Sequence, residues 1–279
     1  MREAERDSHP DSRRLSSIMI APRLFRRSVP VICLGGLCFL TAANALLGQV
    51  APVGAWDFVL TGNQRGVVKA EFFEDGTMQG IGVLTLNTPA PLGTGFTNVF
   101  GSVVIQGAWL FERTNRISGF MNLVSQVDTN FTTNGLSFHG NGKPTRLNLM
   151  AFGTPGKINF KGIPLTDTNV VDLGGASSFL GRLTSKNFTF ARLEIFSLTT
   201  VQPNFYSVDG GGPGYVYSGN LLISNQGTAA LAQYRAIGTG LVPAATYVGP
   251  FNVNTRKGTL RGMDGTNAVV KFRITPEAQ

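Results

Sequence analysis

Val67-Val68-Lys69-Ala70-Glu71-Phe72-Phe73-Glu74-Asp75-Gly76-Thr77 decides the fold class. Val68, Ala70 and Phe72 take alternate positions, with Lys69 and Glu71 between them. A pleated strand sends successive side chains to opposite faces, so the segment fits a strand with one buried and one wetted side. Glu74-Asp75-Gly76 then supplies a turn, because Gly with Asp beside it tolerates the positive φ of a tight hairpin. An apolar stretch resumes at once, so the chain folds back as an antiparallel neighbour.

The same grammar recurs along the chain. Ile158 and Phe160 oppose Lys157, Asn159 and Lys161; Ala268, Val270, Phe272 and Ile274 oppose Lys271 and Arg273. Asn225-Gln226-Gly227 and Asp264-Gly265 separate strand-like runs, as do the weaker Thr114-Asn115 and Thr255-Arg256-Lys257-Gly258. No sustained apolar period of 3.6 occurs beyond residue 51, so almost no helix is expected.

Strands are predicted near 56–61, 67–73, 77–86, 99–112, 117–126, 136–140, 145–152 and 157–162. A second set falls near 177–183, 188–199, 204–208, 214–224, 228–237, 244–254, 258–263 and 267–274. Pro164 to Gly175 reads as a linker between them. The organisation expected is an N-terminal extension and signal over 1–51, one domain over 54–163, the linker over 164–175 and a second domain over 176–275. Eight antiparallel strands in roughly a hundred residues close most economically into a small barrel, which removes exposed edges. The fold class is therefore all-β, with two antiparallel meander barrel-like domains of about eight strands each. A sandwich pair or a single sixteen-stranded sheet are the competing arrangements. The halves also share a pattern: Asn98 to Val104 matches Thr246 to Val253, as duplicated copies would.

Upstream, Arg23-Leu24-Phe25-Arg26-Arg27 precedes an apolar run from Val29 to Leu47, and Ala43-Asn44-Ala45 offers small residues for cleavage. That order reads as a secretory signal, cut after Ala45 or Ala51, and places the protein outside the cytoplasm, secreted or in the periplasm or cell envelope. Both cysteines, Cys33 and Cys38, lie inside the run, so the processed chain has no disulfide and rests on core burial. Seven Arg and four acids fall in residues 1–51. Of the chain's 24 basic and 16 acidic residues, 17 and 12 lie beyond Ala51, a net of +5. That mild excess favours an anionic glycan or envelope surface as partner. The cations are scattered singly, which argues against nucleic acid.

Few residues suit catalysis. His139 stands without Cys or clustered acids, so neither a zinc site nor a base-nucleophile pair is supplied. Glu74-Asp75 reads as a hairpin tip rather than a calcium site. Glu112 and Glu194 are candidates for a glycosidase pair only if the fold unites them, and both are expected to face solvent. Gly210-Gly211-Gly212-Pro213-Gly214 lacks the Lys-Ser/Thr and helix of a phosphate loop and reads as an inter-strand loop. No metal or cofactor is expected.

Aromatic residues are the remaining signal, with 20 Phe in the chain. Most fill the core. Trp56, Trp109, Phe111, Tyr215 and Tyr217 are the candidates for lining a ligand cavity, since eight-stranded barrels can hold one small molecule. A drug-sized ligand calls for a cavity above about 300 Å³.

Gly54-Ala55-Trp56, at the opening of the first strand, resembles the Gly-x-Trp start of lipocalins and related calycin barrels. That likeness implies a Trp closing one barrel end and covers the first strand only. Trp56-Asp57-Phe58, Asp75-Gly76-Thr77 and Gly212-Pro213-Gly214-Tyr215 together resemble uncharacterised exported bacterial proteins of similar length, which bring no known activity. The expected role is a non-catalytic exported protein that binds a small apolar ligand or a surface partner, with no membrane span after processing. A structural or adhesive envelope component and an outer-membrane barrel stand as alternatives.

Overall fold

The computed structural model describes residues 52–86, 99–113, 115–126, 132–153, 156–166, 171, 173, 178–237, 240–263 and 269–277. The predicted signal, Thr114, the Asp264-Gly265 turn, Ala268 and most of the Pro164–Gly175 connection lie outside the described residues.

Among the described residues every element is a strand. The first eight are β1 (Gly54–Gly62), β2 (Gln64–Phe72), β3 (Thr77–Leu86), β4 (Val99–Arg113), β5 (Arg116–Ser125), β6 (Thr132–Lys143), β7 (Arg146–Phe152) and β8 (Ile158–Pro164). Each pairs antiparallel with the next, and β1 pairs with β8, so they close into a barrel. The second eight are β9 (Ser178–Ser185), β10 (Arg192–Gln202), β11 (Phe205–Gly212), β12 (Tyr215–Ser224), β13 (Thr228–Ile237), β14 (Gly240–Asn252), β15 (Lys257–Met263) and β16 (Val269–Pro276). They close in the same way, with β16 against β9. Two closed meanders of eight replace the alternatives of a sandwich and of one sixteen-stranded sheet. The two matching stretches sit in β4 and β14, the fourth strand of one barrel and the sixth of the other. The likeness therefore does not relate equivalent strands.

Alternation places the cores as expected. In barrel one, Phe58, Val68, Ala70, Phe72, Phe160 and Ile158 face inward and are buried. In barrel two, Phe179, Phe196, Phe272 and Ile274 do so. Phe272 reaches over β9 to its diagonal neighbour: a Cβ on Gly181 would come within 2.4 Å of the ring's Cζ, so that position must lack a side chain. The Asp75 turn forms as read, its carboxylate accepting hydrogen bonds from the Thr77 amide at 2.9 Å and hydroxyl at 2.6 Å. These bonds hold the Asp75 carboxyl below its ordinary pKa.

Lys69 departs from the expected pattern. It points away from the core but is only 7% exposed, because barrel two covers this outer face. Val67 and Val83 of barrel one meet Leu222, Ala230, Ala232, Tyr234 and Val248 of barrel two in one buried cluster. Beside it, the Lys69 ammonium pairs with Asp57 at 2.8 Å. The other Asp57 oxygen accepts hydrogen bonds from the Ser224 hydroxyl at 3.0 Å and the Asn225 amide at 2.8 Å. Gln226 donates to the backbone oxygens of Asp57 and Lys161, both at 2.9 Å. The Asn225-Gln226-Gly227 hairpin thus does more than reverse the chain: it grips the first barrel. Farther along, the Ser102 amide donates to the Tyr234 hydroxyl at 2.5 Å, and Asn220 donates to the Ser102 hydroxyl at 2.7 Å. A buried charged pair held on all sides fixes orientation more than it adds stability.

Candidate functional site

The two ends of barrel two differ. The end where the chain enters is stopped by Val171 and Leu173, both buried. Val171 is tied at both backbone groups: its amide donates to the Asn204 side chain at 2.5 Å and its carbonyl accepts from the Tyr206 hydroxyl at 3.1 Å. At the opposite end β9 turns into β10 and β11 into β12. There a cavity of about 170 Å³ is lined by Phe188, Arg192, Glu194, Tyr215, Gln233 and Arg235, with aliphatic side chains of β9, β14 and β16 behind them.

Alternation along β10 places this site. Phe196 faces inward, so Glu194 and Arg192 above it share the inward side, Glu194 buried and Arg192 exposed at the rim. Glu194 was expected to face solvent, yet it is 2% exposed. One of its carboxylate oxygens accepts a short hydrogen bond from the Tyr215 hydroxyl, the other one from the Gln233 amide at 2.9 Å. The Tyr217 hydroxyl is sealed from solvent beside the same carboxylate and the Gln233 amide. Desolvation, then the Glu194 charge, pushes the Tyr215 and Tyr217 phenols well above their ordinary pKa. Both are therefore donors at neutral pH.

Two guanidiniums stand over this carboxylate. Arg192 lies 4.2 Å from the centroid of the Phe188 ring, and Arg235 lies 5.1 Å from that of Tyr215. Stacking holds each planar fork in place while leaving its edge N–H groups for a ligand. Beneath them the glycine run is strand rather than loop: Gly210 to Gly212 end β11. Gly210 makes room for the site floor, since a Cβ there would fall 2.6 Å from the Phe196 Cβ and 2.8 Å from the Tyr217 Cζ.

The five aromatic candidates divide between the barrels. Tyr215 and Tyr217 belong to this mouth. Trp56, Trp109 and Phe111 lie at one end of barrel one, packed together with Phe58 and Phe72. The indole of Trp56 donates to the Pro52 carbonyl at 2.5 Å and that of Trp109 to Thr77 at 3.1 Å, so each buried N–H has a partner. Alternation alone did not single out Arg192, Gln233 and Arg235, because charged and amide residues near strand ends ordinarily face water. Glu112 is in barrel one, half exposed and paired with Arg116 at 2.7 Å, so it forms no pair with Glu194. His139 faces outward and stacks on Phe152, ring centroids 5.4 Å apart. Among the described residues no group of His, Cys, Asp or Glu is placed to hold a metal.

No protein-family model matches the chain, and no curated protein matches it. Among solved structures, it is similar to the crystal structure of a protein of unknown function from the DUF3598 family of Nostoc punctiforme. The two are 9% identical over 81% of this chain and 96% of that one, with a TM-score of 0.23.

Proposed function

We propose that the chain is an exported, non-catalytic binding protein whose second barrel takes a small anionic compound at its polar mouth. The observation that carries this reading is the buried Glu194 carboxylate beneath two aromatic-stacked arginines. The cavity is smaller than the ~300 Å³ of drug-sized sites, and its lining is polar at the rim. That combination suits a sugar acid, free or as the end unit of an anionic glycan, better than an apolar chain. A ligand carboxylate would bridge Arg192 and Arg235, and a ligand hydroxyl would donate to Glu194. Tyr215 and Gln233 already occupy one site on each Glu194 oxygen and fix its direction, leaving further lone pairs for the ligand.

Titration calorimetry with glucuronate, and with glucose as the uncharged control, tests the reading. Binding of glucuronate and not of glucose is expected. Arg235→Gln weakens it by about 10- to 100-fold, the range for a hydrogen bond to a charged group. Glucose binding as well as glucuronate, or an unchanged affinity in Arg235→Gln, would remove the site from this role.

A further inference from the structure

The outside of that same end carries a second pattern, which shares only Arg192 and Arg235 with the pocket. Ten large hydrophobic side chains are exposed among the described residues, and five of them, Phe190, Leu193, Ile195, Val216 and Val269, gather around this end of barrel two. Phe190 and Val216 are the most exposed of all, at 82% and 81%. Phe190 lies in the turn between β9 and β10, Val216 is the second residue of β12, and Val269 opens β16. The register puts Ile195, Gly211 and Val216 in one row across the outer surface of β10, β11 and β12. The residue between the two apolar side chains is a glycine, so the row is low and continuous.

Cations surround this patch. Lys186, Arg192 and Arg235 are exposed at the rim, and Arg182 and Lys271 are exposed a few residues down the barrel wall. Strands rise about 3.3 Å per residue, so all five lie within roughly 10 Å of the end. Against them, among the described residues, stand only the exposed Asp209 and the buried Glu194. An exposed apolar tip ringed by cations is complementary to a bilayer with anionic headgroups, where apolar side chains sit about 5–10 Å deep and Lys and Arg meet the phosphates. A protein partner of matching acidity would need no apolar tip so far beyond the strands.

We propose that this end of barrel two docks peripherally on an anionic lipid surface, with Phe190, Val216 and Val269 entering the headgroup boundary. The pocket would then open toward the membrane.

A tryptophan reporter tests this on the full chain, because Trp56 and Trp109 are buried in barrel one and are dark to the change. Phe190→Trp is titrated with vesicles of phosphatidylcholine alone and of phosphatidylcholine with phosphatidylglycerol. The expected result is a blue shift of the added emission with the anionic vesicles only. It should be lost in 1 M salt, where the screening length falls to about 3 Å. Phe120→Trp, at the 54% exposed position on barrel one, is the control and should not shift. Adding Lys186→Glu and Lys271→Glu to Phe190→Trp should weaken the response by about tenfold or more. No shift at position 190 with anionic vesicles overturns the proposal, as does an equal shift at position 120. A blue shift that needs no vesicles and grows with protein concentration would assign the face to a second copy of the chain and also overturn it.

Discussion

Barrel one and barrel two share strand number, wiring and closure, but not their filling. Barrel one is packed with rings from one end to its middle: Trp56, Phe58, Phe72, Trp109 and Phe160 form a chain of contacts, with Phe58 and Phe160 edge to face at 5.9 Å between centroids. Among its described residues the buried inward polar side chains are Ser125 and Gln64, whose amide has no hydrogen-bond partner. Barrel two has aromatic contacts of its own, with Phe179 stacked on Phe196 at 5.6 Å and Phe272 against both Phe196 and Tyr247. Above Phe196 its interior turns polar, with Glu194, Gln233 and two tyrosines around one carboxylate. A closed meander is stable without such a cluster, as barrel one demonstrates. The polar mouth is therefore not required by the architecture, which is why the proposed ligand site is placed there.

The largest expected effect probes the feature the barrels have in common. Phe58 and Phe272 are both fully buried. Either one replaced by Ala should lose about 3–5 kcal/mol, the usual result for emptying an aromatic core site. Urea unfolding measures it. Because the barrels share the buried face around Val67 and Leu222, each variant should still show a single transition. Two separated transitions would show that the shells unfold independently.

A somewhat smaller loss, about 3 kcal/mol, is expected for Asp57→Asn, which leaves the Lys69 ammonium buried without its counter-charge. Lys69 already has its pKa lowered, chiefly by desolvation and against the pull of Asp57. Adding Lys69→Met should restore most of the loss. If the double variant is no more stable than Asp57→Asn alone in the same urea assay, the ion pair is not what orients the shells.

The smallest effect separates the tyrosines of barrel two from Lys69 by pH. An unfolded tyrosine loses its proton near pH 10, whereas Tyr215, Tyr217 and Tyr234 keep theirs to higher pH because they are buried. Above about pH 10 the unfolded chain then binds fewer protons than the folded one, so stability falls as pH rises. Lys69 acts in the opposite sense: between its lowered folded value and the ordinary lysine value of about 10.4, the unfolded chain holds more protons and stability rises. Tyr217→Phe should change neutral stability by about 1 kcal/mol or less, the usual net scale of one neutral hydrogen bond. It should also flatten the alkaline decline. Thermal melting across that range measures both, and an unchanged alkaline slope would put the decline elsewhere.

Strand identity was legible because it is a local signal. The alternation of Val68, Ala70 and Phe72, and the turn at Asp75-Gly76, need only neighbouring residues. Burial on the outer face was harder, since it depends on a surface more than a hundred residues away in sequence. A trace of it is present nonetheless: Val67-Val68, Leu221-Leu222-Ile223 and the run from Ala229 to Ala232 break the alternation with consecutive buried residues, as strands covered on both faces do. Glu194 was misplaced for a related reason. Its inward parity follows from Phe196 two residues on, but its partners Tyr215 and Gln233 come from β12 and β13, which curve round to it only when the barrel closes. The glycine run at 210–212 misled because glycine serves loops and crowded strands alike, and only the facing Tyr217 and Phe196 tell which.

Closure of each shell by its own first and last strands sets an order of events during synthesis. Barrel one has all its strands once Pro164 has left the ribosome, while β9 must wait for β16, which ends at Pro276. At about 5–20 residues per second, the strands of the earlier shell are complete several seconds before those that cover Val67 and Val83. That interval is when a chaperone has something to hold and when two nascent chains have a reason to stick together.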